Sequence, residues 1–234
     1  MKYFAGIDEA GRGPVLGPMV MAIVVCTPAD KQFFNKIGVK DSKLLTEAKR
    51  TKLARIIKSR CAHAIIKATP QDIDAALRSE SSSLNFLEAD ISRKLINKVT
   101  KKLTAQNIPL KNLQQIILDL PAKNKDEYLN RVKKHMSKEV KNIPLKAEFK
   151  ADLNYVEVSA ASILAKTTRD ASMKTLSKKT GLKLGSGYPA DPNTQKILQT
   201  NFKEIKNEGN IMRTEWKTIK NIIEEKAQTT LSKF

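Results

Sequence analysis

The opening stretch constrains this chain more than any other. Tyr3 to Ile7 is an apolar strand candidate that runs without a break into two adjacent carboxylates, Asp8 and Glu9. Next comes Gly11-Arg12-Gly13-Pro14-Val15-Leu16-Gly17, where glycine or proline fills four of seven positions. Successive strand residues face opposite sides of a sheet, so Asp8 and Glu9 can share one site only where the chain bends right after them. Gly11 and Gly13 permit that bend. The same glycines open backbone N–H groups to a phosphate or ribose, with Arg12 held between them. The stretch predicts acidic metal ligands beside a backbone-and-arginine grip on nucleic acid. Taken alone, Asp-Glu before a Gly-Pro turn is also ordinary strand-end punctuation, so the rest of the chain has to decide.

Further along, Val20 to Cys26 is a continuous β-branched and apolar run, the pattern of a strand buried on both faces, expected to pair with the first. Thr46 opens an amphipathic helix carrying Leu53, Ile56 and Ile57, Ala62 to Ala68 predicts a third strand, and Pro70 to Leu77 a short helix. Ser81, Ser82 and Ser83 cap a longer helix to about Leu103. Gln115 to Leu118 predicts a strand ending at Asp119, with Pro121 stopping it, Lys125 to Met136 a basic helix, and Pro144 to Phe149 an extended piece closed by Lys150-Ala151-Asp152. Ser159 to Lys166 is dense in small residues at helical spacing, which lets a helix lie close to a sheet. Gly185 to Pro189 is a loop, Asp191-Pro192 starts a helix through Phe202, and Thr214 to Glu225 forms another around Trp216. Strands alternating with helices predict an α/β fold, a central mixed sheet flanked by helices.

A chain of 234 residues can bury a substantial core without staples. Its 43 Lys and Arg against 24 Asp and Glu give a formal charge of +19, which favours a polyanion such as nucleic acid. A lysine-rich surface of a heat-adapted protein would give the same count. Cys26 and Cys61 lack the C-x-x-C spacing of zinc or redox sites and read as core thiols in a reducing compartment. The amino terminus enters a strand with no basic region, and no span reaches ~18 apolar residues. A cytoplasmic protein with no membrane association is expected.

Carboxylates now mark three strand candidates or their ends: Asp8 with Glu9, Asp119, and Asp152. Sites in α/β sheets gather at strand ends, so these groups could converge. Hard oxygen donors without His or Cys at ligand spacing suit Mg²⁺ or Mn²⁺. His63 and His135 stand in unrelated contexts.

At this point the sequence resembles the type 2 ribonucleases H, ribonuclease HII, in its archaeal branch. The resemblance rests on Gly6-Ile7-Asp8-Glu9-Ala10-Gly11-Arg12-Gly13-Pro14, Asp41-Ser42-Lys43-Leu44-Leu45-Thr46, Ala147 to Asp152, Ser159 to Lys166 with Arg169-Asp170, and Gly185-Ser186-Gly187-Tyr188-Pro189-Ala190-Asp191-Pro192. Arg213 and Trp216 to Thr218 match a further segment. The blocks occur in family order, which single motifs cannot imitate. Phe149 stands where many archaeal relatives carry histidine, and Asp119 is assigned by strand position and order. Arg12 between the glycines argues against the type 3 enzymes.

The resemblance implies a ribonuclease H-like core over 1–190, a helical C-terminal region over 191–225 and a flexible tail over 226–234. It implies that Asp8, Glu9, Asp119 and Asp152 hold two Mg²⁺ or Mn²⁺ ions and hydrolyse the phosphodiester 5′ of a ribonucleotide, leaving a 3′-hydroxyl and a 5′-phosphate. The substrates implied are RNA/DNA hybrids and DNA duplexes with embedded ribonucleotides, serving primer removal or ribonucleotide excision. Gly11, Arg12, Gly13 and Tyr188 would sense the ribonucleotide–deoxynucleotide junction, while Lys43, Lys166 and Arg169 would face phosphates. The tail, Gln228-Thr229-Thr230-Leu231-Ser232-Lys233-Phe234, fits the Gln-x-x-aliphatic-x-x-aromatic pattern of sliding-clamp peptides. In one turn Leu231 and Phe234 form an apolar plug while Gln228 reaches a polar pocket. The protein is expected to act as a monomer. The alternatives are a junction nuclease of the same fold and a non-catalytic, clamp-tethered hybrid-binding module.

Overall fold

In a computed structural model of the chain, the described residues are 1–39, 45–121 and 124–231. β1 (Tyr3–Ala10) and β2 (Met19–Cys26) pair antiparallel, Asp8 opposite Ala22 and Glu9 opposite Met21. Then come α1 (Pro28–Ile37), α2 (Glu47–Arg60), β3 (Ala62–Ala68), α3 (Pro70–Arg78) and α4 (Leu84–Ala105). β4 (Leu113–Asp119) runs parallel to β1. After α5 (Lys125–Lys133) and α6 (Lys138–Lys141), β5 (Leu145–Glu148) runs parallel to β4. The chain continues as α7 (Ala151–Asn154), α8 (Val156–Thr180), α9 (Pro192–Thr200), α10 (Phe202–Asn207) and α11 (Lys217–Leu231). The strand order β3-β2-β1-β4-β5 makes a mixed five-stranded sheet flanked by helices, the α/β fold that the alternation predicts.

The chain divides into two compact units: Met1–Ala10, Val20–Lys67 and Asn85–Thr168 form the first, and Gly11–Met19, Ala68–Leu84 and Arg169–Phe234 the second. In the first, β2 is buried at every position, as its unbroken apolar run requires. Its Val20, Ala22 and Val24 pack with Phe34, Leu53 and Ile57 and with Ala160, Ala161 and Leu164 of α8. The small side chains let α8 approach the sheet closely. At Gly6 of β1 a Cβ would overlap the backbone of Glu157 and Val158, so only glycine fits there. In the second unit, Leu16, Leu184, Ile197, Phe202, Ile205 and Ile219 form a separate core.

Several local features differ from expectation: the basic helix expected to Met136 stops at Lys133, and the helix expected over Thr214 to Glu225 runs over Lys217–Leu231. β1 continues past the carboxylates to Ala10, and the bend comes at Gly11, whose φ of 82° is left-handed. α1 was not anticipated, although Thr27-Pro28-Ala29-Asp30 is a full capping box with proline in the first turn. The helix expected from Asp191 through Phe202 stops at Thr200, because Asn201 adopts φ −121° and ψ 26° before α10 begins. Among the described residues no helix is long and apolar enough to cross a membrane.

Candidate active site

The site residues of the first unit gather where β1 and β4 end. The parallel register pairs Ile7 with Leu118, so Asp8 and Asp119, one step on, leave the same side of the sheet. Glu9 leaves the opposite pleat. Even so, one oxygen each of Asp8, Glu9 and Asp119 lie within 4.8 Å of one another. The convergence has a local cause: Asp8 Oδ1 accepts the Glu9 backbone N–H at 2.7 Å, which turns its carboxylate along the strand toward Glu9. Asp119 Oδ1 accepts the Ala151 N–H at 2.8 Å, tying the end of β4 to the start of α7. Lys150, left-handed at φ 55°, makes the corner into α7.

Asp152 follows directly in α7. It is buried, and its backbone carbonyl accepts the Ser159 hydroxyl. Its carboxylate is not one of the three-residue group. The structure thus brings three of the four expected ligands together, with the fourth next in sequence to Asp119's hydrogen-bond partner.

Burial holds the Asp8 carboxyl well above its ordinary pKa, and the negative charge of Glu9 adds to this. A hydrogen bond from Ser162 pulls the other way, Asp119 again raises it, and the Glu9 N–H lowers it. Ser162 Oγ in turn accepts from Lys166 Nζ at 2.9 Å, so Lys166 reaches Asp8 through one hydroxyl. A buried carboxylate crowded by like charges is a group that a cation stabilises. The donor set is all carboxylate, and such hard oxygen donors fit Mg²⁺ or Mn²⁺.

The second unit carries the expected substrate-contact loops. Arg213 is fully buried and donates from Nη2 to Gly11 O at 2.6 Å, from Nη1 to Arg12 O at 2.9 Å and from Nε to Gly17 O at 3.0 Å. Trp216 Nε1 donates to Gly13 O at 3.2 Å, and the Arg213 guanidinium lies 5.0 Å from the Trp216 ring. Asp74 of α3 fixes the adjoining chain, its carboxylate accepting from Thr214 N, Thr214 Oγ1 and Glu215 N at 2.7 to 3.1 Å. Val15 N–H donates to Gly187 O at 2.8 Å, which joins the loop of Tyr188 to that of Gly11 to Gly13. Arg169 is buried, donates to Ser186 O, and lies 5.2 Å from the ring of Tyr188, which is 42% exposed. Gly11, Arg12, Gly13, Arg169 and Tyr188 therefore fall in one connected arrangement.

Of the other expected residues, Lys43 and Phe234 lie outside the described residues. Gln228 is an exposed residue of α11, which Leu231 ends. Sequence reasoning gave no role to Ser162, Asp74 or Arg213. Ser162 has a signal, standing one helical turn before Lys166 in a small-residue segment. Arg213 stands in a segment that matches the family, but nothing local signals its role, because its partners are backbone carbonyls about 200 positions earlier.

Residues 5–219 match the ribonuclease HII family model. A ribonuclease HII of Methanococcus maripaludis is 40% identical over 224 residues, covering 96% of this chain and 88% of that protein. The crystal structure of ribonuclease H2 from Pyrococcus horikoshii OT3 superposes with a TM-score of 0.76 at 34% identity, covering 95% and 98% of the two chains. Ribonuclease HII from Archaeoglobus fulgidus, solved in complex with PCNA, gives a TM-score of 0.73 at 32% identity over 94% and 96%. A match spanning nearly the whole chain, on a sheet whose adjoining strand ends bring Asp8, Glu9 and Asp119 together, shows that the chain belongs to the ribonuclease HII family, endoribonucleases of the ribonuclease H type.

Proposed function

We propose that this enzyme hydrolyses the phosphodiester 5′ of ribonucleotides, in RNA/DNA hybrids and at single ribonucleotides embedded in duplex DNA, leaving a 3′-hydroxyl and a 5′-phosphate. The observation that carries this reading is the approach of Asp8, Glu9 and Asp119 to within 4.8 Å in a ribonuclease HII family member. With Asp152, these residues would hold two Mg²⁺ or Mn²⁺ ions. When bound, such ions supply Lewis-acid charge that activates water and neutralises the leaving oxygen. Asp8, whose carboxyl keeps its proton more tightly than usual, releases it on cation binding. Ser162, backed by Lys166, holds the Asp8 carboxylate in place.

Substrate reading falls to the second unit. The backbone of Gly11, Arg12 and Gly13 and the exposed ring of Tyr188 sense the 2′-hydroxyl at the junction. Lys43 and Lys166 meet phosphates, and Arg169 serves the same contact by bracing Ser186 and Tyr188. The +19 charge draws the duplex in and makes affinity fall with salt.

The complex of the Archaeoglobus relative with PCNA supports clamp docking here through Gln228, Leu231 and Phe234. The chain is proposed to act as a monomer. The cytoplasm suits its two free, buried thiols, Cys26 and Cys61.

The test is cleavage of an end-labelled DNA duplex with one ribonucleotide, in Mg²⁺ and in Mn²⁺. The expected product is a single cut 5′ of the ribonucleotide with a 3′-hydroxyl end. Intact duplex and intact hybrid with both metals, or cutting of an all-DNA four-way junction instead, would overturn the proposal.

A further inference from the structure

We propose that Arg213 is a positioning residue for ribose recognition, its buried guanidinium tying loop carbonyls inward so that the Arg12 and Gly13 N–H groups point at the substrate side. In a trans peptide the C=O and N–H point in opposite directions. Gly11 O and Arg12 O both accept from Arg213, so the N–H groups of Arg12 and Gly13 are aimed away from it. Gly13 O accepts from Trp216, and the next residue, Pro14, has no N–H to offer. The N–H groups turned away from Arg213 thus end at Gly13, which is exposed.

A planar fork is needed for this. Arg213 reaches three carbonyls at once, which a lysine head on a single stem does not reproduce. A cation against a carbonyl also polarises the peptide and strengthens its N–H as a donor. Burial, then the like charge of Arg169, push the Arg213 pKa down to about 9, so at neutral pH it keeps its charge. Fully buried, it acts through the loop and never touches the substrate. The inference rests on the proposed reading of Gly11 to Gly13 as the part that senses ribose.

The experiment compares wild type, Arg213→Lys and Trp216→Phe for affinity toward a DNA duplex with one ribonucleotide and toward the same duplex in all-DNA form, in Ca²⁺ to limit turnover. Melting temperature and Mn²⁺ affinity are measured alongside. Arg213→Lys should lower the ribonucleotide-over-DNA preference about fivefold or more, the scale of one or two lost hydrogen bonds. All-DNA affinity and Mn²⁺ affinity should stay within about twofold. An unchanged preference, or equal loss on both duplexes in step with a lower melting temperature, overturns the positioning role. If Arg213→Lys shows no folded transition, Trp216→Phe decides: a lower preference supports the inference and an unchanged one overturns it. A wild type that cuts neither hybrid nor embedded ribonucleotide breaks the proposed function itself, whereas a wild-type preference kept intact in Arg213→Lys breaks only this inference.

Discussion

Asp8 and Arg213 are both buried ionisable side chains, 5% and 0% exposed, and their surroundings treat them in opposite ways. Asp8 has Glu9 and Asp119 beside it, and the folded chain makes its ionised form less favourable. Arg213 has backbone carbonyls on every arm of its fork and an aromatic ring alongside. One site is left with charge that a ligand must neutralise; the other satisfies its charge internally and so fixes a shape. The first arrangement suits metal binding and chemistry. The second suits discrimination, because a loop that reads a single hydroxyl has to hold still.

The largest expected effect breaks the contrast on its acidic side. Asp8→Asn should lower cleavage by about a thousandfold or more, by loss of a proposed ligand to the divalent cations, while hybrid affinity in Ca²⁺ stays within about threefold. Steady-state rates with filter binding check both parts. Cleavage unchanged in Asp8→Asn would remove the metal role from this cluster. At a pH high enough to ionise Asp8 in the metal-free protein, the same substitution should raise the melting temperature, since it then removes a buried charge from like neighbours.

Two glycines sharpen the contrast. Gly11→Ala meets a left-handed φ of 82° and the buried Arg169 side chain. It should cut turnover on an embedded ribonucleotide roughly 10- to 100-fold, a loss matching the ~1–3 kcal/mol of backbone strain displaced into the loop. Gly6→Ala meets only the backbone of α8. It should cost about 3 kcal/mol of stability, lowering the melting temperature by roughly 6–12 °C. If Gly6→Ala changed substrate preference and Gly11→Ala changed only stability, the assignment of chemistry and reading to separate regions would be reversed.

Smaller still is the pH response. The folded-state pKa of Asp8 lies above its ordinary value of 3.8, so the folded chain holds that proton more tightly than the unfolded one. This stabilisation is present below the ordinary value and lost as pH rises through the raised one. In the metal-free protein, Asp8 should therefore make the melting temperature fall with rising pH across that window. Mn²⁺ should offset the fall, increasingly so at higher pH, and Asp8→Asn should flatten it; melting curves at a series of pH values test the sign. The least effect is expected for Trp216→Phe, about 1 kcal/mol from one hydrogen bond, measured by denaturant unfolding.

These two regions also differ in how far the sequence reveals them. Asp8, Glu9 and Asp119 are legible because each sits at the end of an apolar run, and strand ends are where α/β folds build sites. Asp152 is legible as a residue, but where its carboxylate points depends on the left-handed corner at Lys150, which local pattern does not encode. β2 is legible from composition, since an unbroken run of β-branched and apolar residues leaves little choice. α1 was hidden by its mixed composition, although its capping box is written in Thr27 and Asp30. Arg213 is the opposite case. Its partners are peptide groups, which every residue has, so no spelling distinguishes Gly11 O or Gly17 O until the chain has folded.

Mn²⁺ titration calorimetry on wild type and Asp8→Asn, each in two buffers of different ionisation enthalpy at a series of pH values spanning the Asp8 titration, tests most directly whether the Asp8 cluster is the metal centre. Wild type should bind with net proton release, and Asp8→Asn should bind about tenfold more weakly or worse and release fewer protons. Equal affinity and equal proton release in the two proteins would contradict it.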